Sequence, residues 1–159
     1  MQTTLGQEKR IWEVLETIED PELPISVTDL GLIQDVAVVG STVRVRMIPT
    51  YSACPAIELM RQDIRRRLLD VPGVEQVEVE LSFEEPWTMA RMTERGRQRL
   101  VQHGLSVPGR QRPEPVICPF CGSTNTVLEN PFGPTLCRAI YYCKDCRNPI
   151  ERFRVPAAD

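Results

Sequence analysis

Four of the six cysteines stand in two C-x-x-C pairs, Cys118-Pro119-Phe120-Cys121-Gly122 and Cys143-Lys144-Asp145-Cys146, within the last third of a 159-residue chain. A turn of this kind aims two thiolates at one point. Two such turns at the tips of facing hairpins supply the tetrahedron of soft ligands that Zn²⁺ prefers. The spacing predicts one structural Zn²⁺ held by Cys118, Cys121, Cys143 and Cys146. The same four thiolates also suit the single iron of a rubredoxin-like electron carrier, which is the alternative. Cys137 is a fifth thiol whose spacing fits neither turn. A packed structural residue, a substitute or transient ligand and a reactive thiol all remain open to it.

The sixth cysteine stands elsewhere, in Pro49-Thr50-Tyr51-Ser52-Ala53-Cys54-Pro55, after a strand-like run and at the opening of a helix. The dipole and free backbone N–H groups of a helix N-terminus favour a thiolate, so this position predicts a lowered pKa and raised reactivity or metal affinity. A small buried residue filling the corner is the alternative. Asp20, Glu22 and Asp29, in EDPELPISVTDLG, put carboxylates on a proline-stiffened loop that reaches Cys54 if the first helix packs on the sheet. Asp29 as the cap of a short turn needs no chemistry. His103 is the only histidine and ends a predicted helix, a capping or surface position. No G-x-S-x-G, P-loop or H-E-x-x-H pattern occurs, so no catalytic turnover is expected.

The elements that must position these residues read as follows. Ile11, Val14, Leu15 and Ile18 recur at helical spacing and predict a helix ending before Asp20-Pro21. Ile33 to Val39 and the alternating Val43, Val45 and Met47 flank Gly40-Ser41, a β-hairpin with one solvated face. Ile57, Met60, Ile64 and Leu68 form the stripe of a second helix that Pro72-Gly73 stops. Val77, Val79, Leu81 and Phe83 alternate as a third strand, and Thr93 to His103 predicts a further helix beside that sheet. The order α-β-β-α-β implies an α+β domain over 1–103, a three-stranded sheet with helices on one face. Three prolines and two glycines mark 104–115 as a linker, and 116–159 is a four-cysteine ribbon with strands at Thr126 to Glu129 and Ile140 to Tyr142.

Charge narrows the function. Residues 1–112 carry 14 Lys+Arg against 17 Asp+Glu, and 113–159 carry 5 against 5, so neither part has the positive excess that phosphate neutralisation needs. No nucleic-acid partner is expected. The first apolar stretch is broken by Glu8, Lys9, Arg10, Glu13 and Glu16, and no run approaches a membrane span, so a cytoplasmic location is expected.

Three motifs carry a resemblance: Asp20-Pro21-Glu22-Leu23-Pro24, Asp29-Leu30-Gly31-Leu32, and Thr50-x-x-x-Cys54-Pro55. They resemble the small iron-sulfur assembly domain of SufT and of the cytosolic iron-sulfur targeting factors. With Trp87-Thr88, Gly96-Arg97 and Phe132-Gly133-Pro134-Thr135-x-Cys137-Arg138-Ala139, the whole chain is similar to the PaaD family, accessory subunits of the phenylacetyl-CoA epoxidase system of aerobic phenylacetate degradation. The resemblance implies a maturation role. That epoxidase combines a carboxylate-bridged di-iron oxygenase subunit with a flavin and iron-sulfur reductase subunit, and either is an expected partner, alongside a possible homodimer. It implies that Cys54 is the reactive or transient iron-binding thiol, with Asp29 and Thr50 near it. It also matches Cys118, Cys121, Cys143 and Cys146, with the extra Cys137, to a zinc-binding tail.

Overall fold

A computed structural model describes residues 3–51, 54–108 and 115–154. Ser52, Ala53 and half of the expected linker, 109–114, lie outside the described residues. The chain divides into two compact units, Met1–Trp87 and Thr88–Asp159.

In the first unit α1 spans Thr3–Leu15, one turn shorter than its apolar periodicity suggests. The Thr17 hydroxyl donates to the Val14 carbonyl at 2.6 Å, competing with the next helical bond, and the Ile18 carbonyl instead accepts from Val27 N–H at 2.8 Å. Ile18 is still fully buried, but from a short extended segment bridged to Ser26. Strands β1 (Ile33–Val39) and β2 (Thr42–Met47) form the expected hairpin, turning at Gly40, whose φ of +61° suits glycine. Helix α2 (Ala56–Leu69) then crosses over, and β3 (Gln76–Leu81) returns parallel to β2, giving the order β1-β2-β3. A parallel return requires such a crossover.

The two faces of this sheet differ as the alternation demands. Val36, Val43, Val45, Met47 and Val79 are buried against α1 and α2, whose Ile11, Leu15, Ile57, Met60, Ile64 and Leu68 are also buried. The other face is a ladder of charges: Arg44 pairs with Glu78 at 2.9 Å, and Arg46 stands in register between Asp35 and Glu80. Helices on one face of a three-stranded sheet are thus observed. The third strand ends at Leu81, because β2 ends at its partner Met47, and Phe83 is exposed rather than a strand residue. The edge of β3 is covered: Arg61 and Arg65 of α2 donate to the Val79 carbonyl at 2.9 and 3.5 Å.

The second unit begins earlier than the sequence suggests. Helix α3 (Glu94–Gln102) is capped by the Thr93 hydroxyl accepting from Gly96 N–H at 3.1 Å and closed by His103 and Gly104. It was expected beside the first sheet within 1–103. Instead β4 (Leu105–Ser106), directly after Gly104, pairs parallel with β7 (Pro149–Phe153) and ties α3 to the ribbon, while Arg97 donates to the Pro108 carbonyl at 2.6 Å. The start of the expected linker is therefore sheet. With β5 (Thr126–Asn130) and β6 (Arg138–Cys143) the order is β4-β7-β6-β5. No helix among the described residues is long and apolar enough to cross a membrane.

Trp87 closes the first unit: it is 3% exposed and its indole N–H donates to the Leu30 carbonyl at 2.8 Å. Trp87→Phe removes that donor and strands a buried acceptor, which costs about 1–3 kcal/mol. Urea denaturation of the variant should show a loss in this range with the metal content of the ribbon unchanged.

Candidate metal and thiol sites

The two cysteine turns are built to the same local plan. In the first, Gly122 N–H bonds back to the Cys118 carbonyl at 2.9 Å, and Cys118 N–H donates to the Ser123 carbonyl at 2.8 Å. In the second, Arg147 N–H bonds to the Cys143 carbonyl at 2.9 Å, and Cys143 N–H donates to the Asn148 carbonyl at 3.0 Å. Closing each turn puts the residue after the second cysteine in the left-handed region: Gly122 at φ +76° and Arg147 at φ +61°. Arg147 is the one non-glycine with positive φ among the described residues. The turns are also clamped to each other, since Asp145 accepts from the Ser123 hydroxyl and from the Asn125 amide at 2.8 Å.

This plan brings the four sulfur atoms within 4.8 Å of one another, with Cys118 to Cys146 and Cys121 to Cys143 each at 3.6 Å. A tetrahedral ion with metal–sulfur bonds of about 2.3 Å requires sulfur separations of roughly 3.8 Å, so the donor set fits such an ion. Around the sulfurs, Asn148 donates from its side chain to Cys146 at 3.4 Å, and the backbone N–H groups of Ser123 and Asn148 are directed to Cys121 and Cys146. Against desolvation, the Asn148 donors and the neighbouring thiols pull Cys146 down to about 6. Despite the Ser123 N–H, desolvation and the other three thiols push Cys121 up to about 12. One thiolate forms readily and opposes the rest, a conflict that a cation removes. Asp145, Ser123, Asn125 and Asn148 were not singled out from the sequence. The signal for them was their placement one to four residues from a ligand, where outer-shell donors and acceptors belong.

Cys137 is buried at the foot of β6 with Thr135 Oγ1 at 3.1 Å from its sulfur, outside the four-sulfur cluster. His103 caps α3, its Nδ1 2.8 Å from the Arg99 carbonyl.

Cys54 lies directly before Pro55, the N-cap of α2, half-buried, with its carbonyl accepting from Ile57 N–H at 3.2 Å. Its sulfur is held by the backbone N–H groups of Ala56 and Ile57, the donors the helix start was expected to supply. The expected lowering of its pKa is nevertheless overturned. Burial pushes the thiol up, outweighing the helix amides, and the negative charges of Glu22 and Asp20 add to that push. The proline-stiffened loop does bring carboxylates to Cys54, and their sign opposes a bare thiolate. Asp20 Oδ1 also accepts from Glu22 and Leu23 N–H at 2.7 and 3.1 Å, which fixes the loop. Asp29 is 5% exposed in the turn after Ser26, its N–H bonded to the Ser26 hydroxyl at 3.1 Å, and Thr50 is partly exposed beyond β2.

A helix-start thiol on a small α+β sheet is thus followed by a four-cysteine β-ribbon whose donor set suits a metal ion. Residues 8–81 match the model of the iron-sulfur cluster assembly protein family, and residues 104–154 match the PaaD zinc beta ribbon domain. The chain belongs to the PaaD family: it is 38% identical, over 93% of both chains, to an Escherichia coli protein named as a candidate component of 1,2-phenylacetyl-CoA epoxidase. It is 40% identical to an Fe-S protein maturation auxiliary factor of Porphyromonas gingivalis, over 57% of this chain and 87% of that one. Two solved structures share the fold of the first part. A domain of unknown function from Bacillus anthracis superposes with a TM-score of 0.57 at 28% identity, covering 61% of this chain and 93% of that one. A conserved hypothetical protein from Thermotoga maritima gives 0.51 at 33% identity, covering 57% and 90%.

Two outcomes test the site descriptions. A Cβ added at Gly122 meets nothing within 4 Å, so Gly122→Ala carries only the backbone cost of left-handed geometry, about 1–2 kcal/mol, and Arg147→Gly returns a similar amount. Thermal unfolding of the metal-loaded protein should move down for the first and up for the second. Alkylation of Cys54 should rise with pH only beyond the ordinary cysteine range, and Glu22→Gln, which removes a negative charge, should bring that rise to lower pH.

Proposed function

We propose that this protein is an accessory maturation factor, without turnover of its own, that assists insertion of iron or an iron-sulfur cluster into the multicomponent phenylacetyl-CoA epoxidase. The observation that carries this reading is the environment of Cys54, the one cysteine in residues 1–115. Its sulfur is oriented by two helix-start amides and faced by the charges of Glu22 and Asp20. Carboxylates that oppose a bare thiolate attract an arriving iron cation, so thiol and carboxylates together suit an iron cargo. One thiol is too few for a resident cluster, which takes about four protein ligands. Loose holding suits hand-over to a client, the oxygenase or the reductase subunit. Asp29 and Thr50 take supporting places around that thiol in this reading. The family assignment and the maturation factors among the relatives support it.

The ribbon takes a structural role with Zn²⁺ at Cys118, Cys121, Cys143 and Cys146. About 70 residues of sheet and one helix bury little apolar surface, and the metal supplies the missing cohesion. Elemental analysis of the purified protein should find one zinc per chain and no visible absorbance. A coloured, iron-containing protein would point to the rubredoxin-like alternative. Complete chelation should open the ribbon to protease.

Cys54→Ser is nearly isosteric and should leave zinc content and folding unchanged while stripping iron from the client and abolishing phenylacetyl-CoA epoxidation in cells lacking the native copy. Normal client iron in both Cys54→Ser and Cys54→Ala would sink the assignment.

A further inference from the structure

One end of the first sheet gathers three segments of the chain. Ile33 opens β1, Met47 ends β2 and Leu81 ends β3, and these residues stand side by side in register. The segments beyond them are tied together. Ile48 N–H donates to the Leu32 carbonyl and Ser82 N–H to the Met47 carbonyl, each at 2.7 Å, and the Trp87 indole reaches the Leu30 carbonyl. Residues 18–32, 48–55 and 82–87 therefore form one border of the unit, with Cys54 on the middle segment.

The charges on this border have one sign. Its three segments carry Glu19, Asp20, Glu22, Asp29, Glu84 and Glu85 and contain no lysine or arginine. The sheet's charged face and α2 differ, because there arginines and carboxylates are interleaved and paired. Asp20 and Glu22 are half-buried, and both lie near enough for their charge to act on the Cys54 sulfur. A surface of one sign, with some of its charges partly withdrawn from water, concentrates counter-ions and steers them inward.

That sign distinguishes the two forms in which iron travels. A cluster held by thiolates is an anion, since its ligands outnumber the positive charges of its core, and this border repels it. An aquated ferrous ion is a cation and is drawn in. The donors agree with the charge: one sulfur beside carboxylate oxygens suits a single borderline ion, whereas a cluster is held by several thiolates. We infer that Cys54 receives one ferrous ion rather than an assembled cluster, with Glu22 and Asp20 forming the oxygen side of the site. As the sulfur–iron bond forms, water leaves the iron and the thiol proton passes to solvent; no electron moves. A client served in this way builds its centre from separate iron ions. This inference rests on the maturation reading above and names its cargo.

The test uses the full-length, zinc-loaded protein without oxygen, with ferrous salt as one probe and a [2Fe–2S] cluster ligated by small thiolates as the other. Ferrous titration should show one ion bound per chain beyond the zinc, with a thiolate-to-iron absorption in the near ultraviolet. Cys54→Ser should abolish that absorption, and Glu22→Gln should weaken binding about tenfold. Loss of a negative charge favours an anionic cluster, so the two cargoes respond to Glu22→Gln with opposite sign. Replacing Glu84 and Glu85 together by Gln should slow ferrous capture at low salt and leave it unchanged at high salt. Glu75→Gln, beside Ser41 at the other end of the sheet, should behave as wild type. Circular dichroism and zinc content show which variants are folded; if Cys54→Ser is not, Cys54→Ala and Glu22→Gln decide. Ferrous binding that survives the Cys54 and Glu22 changes puts the ion elsewhere and overturns the inference. Transfer of the cluster to Cys54 overturns it too, while the maturation role stands with a different cargo. If the wild-type protein takes up neither probe, the maturation reading fails and this inference with it.

Discussion

Four sulfur atoms within 4.8 Å of one another form the constraint on which the second unit depends. At neutral pH such a group is neither a comfortable set of thiols nor a tolerable set of thiolates, and a cation at its centre resolves the conflict. The two turns that create it make matched backbone bonds, so the ion joins two preformed halves that Asp145 already aligns. Sheet and ion support each other: Cys143 ends β6 and is buried with Cys118 and Ile150, and Tyr141 and Cys146 pack against them.

The first unit solves a different problem, that of presenting one thiol without committing it. The β2–α2–β3 crossover places Cys54 at the start of a helix buried along one stripe, where its own backbone bonds to Tyr51 and Ile57 hold it. Amides draw the sulfur toward ionisation, while burial and the carboxylates of Glu22 and Asp20 hold it back. The net effect keeps the sulfur protonated to higher pH than an ordinary cysteine, with burial the largest cause.

Much of this was legible in residue spacing. The stripe of α2, the Gly40 turn and the four ligands follow from periodicity and short-range geometry, which one sequence displays directly. The errors share a cause in longer-range competition. Helix α1 stops early because Ile18 finds a partner in Val27, and α3 joins the ribbon because Leu105–Ser106 pairs with β7, neither being visible in local pattern. At Cys54 the helix start and the nearby carboxylates were legible but the balance of their effects was not, since burial and the sign of neighbouring carboxylates are properties of the folded state. Cys137 was left open by sequence, and the fold places it in a packed position beside Thr135.

The arginines of α2 that bond the Val79 carbonyl have a consequence for stoichiometry. A sheet that can accept a strand at both borders polymerises, whereas one that is sealed at a border can only terminate. Here β3 is sealed by guanidinium groups, β1 and β5 each carry an irregularity, between Ile33 and Asp35 and between Leu128 and Asn130, and β4 is only two residues long. A chain whose sheet borders are sealed, interrupted or short does not readily propagate through its sheets. An exposed outer strand then becomes compatible with remaining dispersed in a crowded cell.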